Sequence, residues 1–116
     1  MDIARDRHEI RLDPATGSCV TLGNFDGVHR GHQELIARVT HKARRKGLAS
    51  VAVTFCPHPL RVLAGPLAPP CITLCEQKME FLAALHLDLT LHLNFTKEMA
   101  TQEPEDFVRT YLVDWL

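Results

Sequence analysis

Residues 19–34, CVTLGNFDGVHRGHQE, constrain this chain more tightly than any other stretch. CVTLG reads as a strand, and the apolar spacing from His32 to Lys46 reads as a helix. Between them Gly23, Gly27 and Gly31 recur at every fourth position. Glycines let a backbone approach a phosphate closely, and the following helix N-terminus offers free amides and positive potential. His29 and His32 add what a phosphate cradle alone does not need. Residues three apart on a first helical turn lie on one side, so both imidazoles can face one anion. Their donors could then stabilise charge that grows on a phosphate during transfer. No GK[ST] follows, so this is not a Walker loop, and GxGxxG is absent. The competing reading is a tight turn in which Asn24 and Asp26 bond to nearby backbone. Glycines, strand, Asp26 and paired histidines together favour function over that reading.

The rest of the chain supplies the frame. Leu35, Ile36, Val39 and Ala43 mark the apolar face of the first helix, and Gly47 supplies its stop. SVAVTF, residues 50–55, is β-branched and predicts a second strand. It runs into CPHPLRVLAGPLAPP, where five of the seven prolines fall, so a loop is expected. Thr73 and Glu76 form a capping box for a second helix, with Leu74, Met79, Phe81, Leu82 and Leu85 on its apolar side. LDLTLHL, residues 87–93, has leucine at every odd position and predicts a third strand, although such strict alternation is more typical of a half-exposed strand than of one buried on both faces. Pro104, Glu105 and Asp106 suit the first turn of a last helix, in which Val108, Tyr111, Leu112 and Trp115 share a face. Residues 1–17 read as a short lead-in ending in the turn DPATG.

Strands alternating with helices imply an α/β fold: a parallel sheet with helices on both faces. Ligands in such sheets sit at the carboxyl ends of the strands, near the switch point. The glycine turn and the proline loop leave the ends of the first two strands and are expected to border one crevice.

Composition narrows the partners. The chain has 116 residues, 46% of them hydrophobic, enough for a real core in one domain or part of one. A formal net charge of −1 gives no reason to expect nucleic-acid binding, and the basic run HKARRKG fits a solvated helix end. No apolar stretch approaches the roughly 20 residues a membrane helix needs. MDIARDRHEIRLD lacks the apolar centre of a signal peptide, so a cytoplasmic protein is expected. Cys19, Cys56, Cys71 and Cys75 make no CxxC pair, even with His58 near, so no metal site and four reduced thiols are expected.

GNFDGVHRGH resembles the G-x-F-D-x-x-H-x-G-H motif of the HxGH nucleotidyltransferase superfamily. TFCPHP, residues 54–59, resembles the T-F-x-P-H-P element of the bacterial FAD synthetases, the FMN adenylyltransferase domains of bifunctional riboflavin kinase/FAD synthetases. ITLCEQKMEFL, NFTKEMA and PEDFV extend the likeness over residues 18–116. The resemblance implies a Rossmann-like sheet and a direct in-line transfer of AMP from ATP to FMN, giving FAD and pyrophosphate. By motif position, His29 and His32 would bind the ATP phosphates and stabilise the transition state. Gly23, Asn24, Phe25, Asp26 and Gly27 would form the nucleotide-binding turn. Pro57, His58 and Pro59 would shape the flavin side, and Mg2+ would bridge phosphates. FMN and ATP are the implied small-molecule partners. A related nucleotidyltransferase with another phosphate acceptor, and an inactive remnant, are the alternatives. The family's later G-x-D-F and ISST-x-I-R-like segments and its riboflavin kinase domain lie outside these residues, so an amino-terminal part of the domain, incomplete at its C-terminus, is expected.

Overall fold

In the structure, a computed structural model, residues 1–13, 15–25, 30–55, 66 and 75–116 are described, except for the side chain of Asp114. Four strands form one sheet: β1 (Asp2–Ala4), β2 (Ser18–Leu22), β3 (Ala49–Phe55) and β4 (Leu89–Leu93). Their spatial order is β1-β4-β3-β2, and every pairing is parallel. Val20 pairs with Val51, Val53 with Leu91, and Ile3 with Thr90. The helices are α1 (Arg30–Lys46), α2 (Cys75–Ala83), α3 (Lys97–Ala100) and α4 (Pro104–Phe107), the last continuing as a π-helical segment over Val108–Asp114. The parallel α/β fold expected from the alternation of elements is present.

The lead-in contributes more than a turn. Residues 2–4 pair with the start of β4 and form one edge of the sheet. Three residues are too few to show alternation in the sequence, and Ile3 stays 42% exposed while Ala4 is buried.

Two clusters of side chains cover the sheet from opposite sides. Ala49, Val51, Val53, Leu89, Leu91 and Leu93 face one way and receive Phe107, Tyr111, Leu112, Trp115 and Leu116. Aromatic contacts run along this side: Phe55 to Phe107 at 6.0 Å, Phe107 to Tyr111 at 4.8 Å, and Tyr111 to Trp115 at 4.8 Å. Such pairs add about 0.5–1.5 kcal/mol each beyond their buried area. On the other side Ala52 packs with Phe25, Ile36, Met79, Leu82 and Leu87. That side also buries Ser50, Thr54 and Thr90.

This answers the alternation in LDLTLHL. β4 lies between β1 and β3 and is covered on both faces: Leu89, Thr90 and Leu91 are all 0% exposed. The strand is not half exposed. Its two faces meet different neighbours, so alternation marks a chemical difference rather than solvent.

The helices begin and stop much as their residues dictate. α1 buries Ile36, Val39, Thr40 and Ala43, whereas Leu35 is left largely exposed. The buried stripe therefore sits slightly further round the helix than the leucine suggests. Gly47 has φ +67°, its N–H reaches the Arg44 carbonyl, and the Leu48 N–H reaches the Ala43 carbonyl at 2.8 Å. This is a Schellman closure, which needs a left-handed residue at that position. In α2, Lys78, Met79 and Leu82 are buried, but Phe81 points outward. The expected capping box at Thr73 lies outside the described residues. α4 has Pro104 in its first turn, and Glu103 makes no side-chain cap. In the continuing segment Tyr111, Leu112 and Trp115 pack on the core, while Val108 is exposed.

Candidate functional site

The site grows from the carboxyl end of β2. The Gly23 N–H donates to the Val53 carbonyl at 3.0 Å, one last rung between β2 and β3. Phe25 has φ +53°, in the left-handed region that bulky residues avoid, and only 1% of it is exposed. Such a conformation costs on the order of 1–3 kcal/mol and persists only where surroundings over-determine it. Burial against Ile36, Ala52, Met79 and Leu82 supplies that compensation. Gly23 is part of the same arrangement. A Cβ there would stand 3.1 Å from the Phe25 ring, tighter than ordinary packing allows.

The Phe25 ring meets His32 edge-on, with centroids 5.3 Å apart and planes at 78°. His32 is half-buried in the first turn of α1. The turn and the histidine that the motif joins in sequence are thus in contact through one aromatic ring. The Asn24 side-chain oxygen is buried with no hydrogen-bond partner among the described residues. Asp26, Gly27 and His29 lie outside the described residues, as do Pro57, His58 and Pro59. Of the expected site residues, Gly23, Asn24, Phe25 and His32 are brought together.

One participant is not among the expected site residues, although it lies within ITLCEQKMEFL. Lys78, on α2, is 7% exposed. Its Nζ donates to the Asn24 carbonyl at 3.0 Å, the Thr54 Oγ1 at 3.1 Å and the Phe55 carbonyl at 2.7 Å. The Thr54 hydroxyl donates in turn to the Asn24 carbonyl at 3.1 Å. These contacts draw together the points where the chain leaves β2 and β3, the mouths of the glycine turn and the proline loop. The sequence carries a signal for this: a lysine among Met79 and Leu82 sits on the face of the helix that should be apolar.

Further along the same sheet edge, His92 on β4 borders a cavity of about 520 Å3 with Arg5, Cys75, Glu76, Met79 and Asn94. Burial, then the positive charges of Lys78 and Arg5, lower the His92 pKa below its ordinary 6.5. Cys75 is disulfide-bonded, against the expectation of four reduced thiols, and its partner lies outside the described residues. Cys19 is a free thiol. The lysine contacts do not follow from spacing alone, because they join segments distant in sequence.

Among the described residues no group of three or more His, Cys, Asp or Glu could hold a metal ion. Among them, too, no helix is long and apolar enough to cross a membrane.

Comparison with known proteins follows the same residues. Residues 12–116 match the FAD synthetase family. The bifunctional riboflavin kinase/FMN adenylyltransferase of Escherichia coli K12 is 33% identical over 116 residues, covering 100% of this chain and 37% of that protein. The bifunctional riboflavin kinase/FMN adenylyltransferase of Listeria monocytogenes is 38% identical over 109 residues, covering 91% of this chain and 35% of its own length. A crystal structure described as a macrolide-efflux protein from Streptococcus pneumoniae superposes with a TM-score of 0.75 at 27% identity, over 95% of this chain and 37% of that one. The chain therefore spans a little over a third of these proteins. With a parallel sheet, a buried left-handed phenylalanine just past β2, and a family match across residues 12–116, the chain belongs to the FAD synthetase family.

Proposed function

We propose that this chain takes part in transferring AMP from ATP to FMN, yielding FAD and pyrophosphate. The observation that carries the reading is the turn at the end of β2. Phe25 is driven into the core there, and His32 stands against its ring in the first turn of a 17-residue helix. A helix N-terminus presents free amides and positive potential, which suits a nucleotide's phosphates. Residues 18–116 are assigned to an FMN adenylyltransferase domain, with the preceding residues adding the edge strand β1.

In this reading the FMN phosphate attacks the α-phosphorus of ATP in line, and pyrophosphate leaves with the electron pair of the broken P–O bond. Such transfers depend on positioning and charge stabilisation. His32, with His29, donates hydrogen bonds to phosphate oxygens as charge builds on them. Gly23, Asn24, Phe25, Asp26 and Gly27 form the nucleotide turn, and Pro57, His58 and Pro59 line the flavin side. Magnesium enters as part of the nucleotide substrate, bridging its phosphates. The protein's part in this reading falls to these side chains and the backbone of the turn. A cytoplasmic setting suits a reaction on these soluble substrates.

The test is direct. The chain is incubated with FMN, ATP and magnesium, and FAD is followed by chromatography beside His29→Ala and His32→Ala. FAD formation is expected to fall in each variant by about 10²-fold, the scale seen when one transition-state donor is removed. Folded chain that forms no FAD would end the claim of activity for these residues alone. CTP working better than ATP would point to a related nucleotidyltransferase.

A further inference from the structure

We propose that Lys78 is a positioning residue, which sets His32 in place through the Asn24–Phe25 turn. The inference rests on the adenylyl-transfer reading only for its consequence in catalysis. The mechanical part stands on the geometry of four side chains.

The first link is the ammonium itself. A helix that merely buried one face on a sheet would carry an apolar side chain at position 78, between the buried neighbours Met79 and Leu82 and the sheet. A cation there is expensive to desolvate unless its hydrogen bonds are made. Among the described residues the Asn24 carbonyl, the Thr54 hydroxyl and the Phe55 carbonyl accept from it. Two of these are main-chain carbonyls beyond the last rung between β2 and β3: Phe55 still pairs with Leu93 of β4, whereas no strand pairing fixes Asn24. Hydrogen bonds from a charged donor are about twice as strong as neutral ones. The lysine therefore takes over where the sheet stops.

The second link is the residue that follows Asn24. Phe25 is left-handed at φ +53°. Without support its backbone would relax toward the ordinary regions, and the Asn24 carbonyl would swing with it, because the two share a peptide plane. Fixing that carbonyl on Lys78, with Thr54 as a second donor, holds the plane. The third link is the ring. Phe25 touches His32 edge-on at 5.3 Å, so a turn that relaxes moves the surface against which the imidazole rests. The chain of contact runs from α2 through β3 and the glycine turn to the first turn of α1. His32 is thus positioned by a helix some forty-six residues further along the sequence.

The experiment reads His32 by NMR, with its imidazole signals assigned by comparison with His32→Gln. In the parent chain the aromatic ring of Phe25 should displace those signals, and the Lys78 Nζ protons should exchange slowly with water. Lys78→Met and the milder Lys78→Gln should move the His32 signals toward those of an exposed histidine. Phe25→Leu should do the same, and combining it with Lys78→Gln should add little. His41, exposed on α1, serves as the control and should not move. Unchanged His32 signals in a folded Lys78 variant would overturn the proposal. So would rapid exchange of the Nζ protons in the parent, a measurement that stands even if both variants unfold. In the FAD assay, kcat should fall in Lys78→Gln by about 10- to 100-fold, more than KM for ATP rises, as for a misplaced group. Lysine to glutamine with only a KM effect would also count against it. If the parent forms no FAD, the functional reading fails while the NMR result still decides the positioning claim.

Discussion

The two faces of one sheet are built on different terms. Odd-numbered positions of β3 and β4, Val51, Val53, Leu89, Leu91 and Leu93, form an apolar surface under an aromatic ladder. Even-numbered positions on the same strands are polar apart from Ala52: Ser50, Thr54, Thr90 and His92, of which all but His92 are buried. The first face owes its order to area removed from water. The second combines burial with hydrogen bonds that must each be satisfied, and it carries Lys78 and the turn toward His32. A face that can hold polar groups in its interior is where chemistry can be placed, because each such group is held in one orientation by its partners.

Breaking the apolar face should produce the largest effect. Leu91→Ala removes a wholly buried side chain from the middle of the sheet, and unfolding in urea should show a loss of about 2–5 kcal/mol. The His32 environment, read by NMR in the folded variant, should barely change. A large shift at His32 would mean that the faces are not independent.

On the polar face the expected loss is smaller but reaches the site. Thr54→Val keeps shape and removes the hydroxyl that donates to the Asn24 carbonyl and accepts from Lys78. Leaving those partners less satisfied should cost about 1–3 kcal/mol. Here FAD formation should fall further than the unfolded fraction explains. Activity that merely tracks stability would erase the distinction between the faces.

The smallest signal is a slope with pH. His92 has a folded pKa below 6.5 because burial, Lys78 and Arg5 disfavour its charged form. In the window between the folded pKa and 6.5 the unfolded chain binds more protons, so stability rises with pH there and is lost as pH falls. Glu76 borders the same cavity as His92. His92→Gln should flatten the pH dependence of the urea midpoint just below about pH 6.5 relative to the parent. Parallel curves for the two proteins would remove His92 from the account.

Much of this molecule is legible in order. The strand over residues 18–22, the helix stopped by Gly47 and the β-branched strand before the prolines follow from local rules: periodicity, a left-handed glycine and stiff side chains. The motif GNFDGVHRGH points to Gly23, Asn24, Phe25 and His32, and these do meet. The three-residue β1 is invisible to pattern, because a strand so short has no period to detect. Phe81 and Leu35 belong by spacing to buried faces they do not occupy, since apolar spacing fixes a stripe only to within one position on either side.

What the amino-acid order determined by itself was the succession of elements and the identity of the turn, because those depend on residues close together along the chain. Tertiary structure alone decided that Thr90 and Leu91 would both be buried, that the Leu/polar alternation of β4 would separate two interiors, and that Lys78 would reach across to Asn24. Those outcomes depend on which strand lies beside which. The order β1-β4-β3-β2 is set by packing the whole sheet between two layers, a property of no single segment.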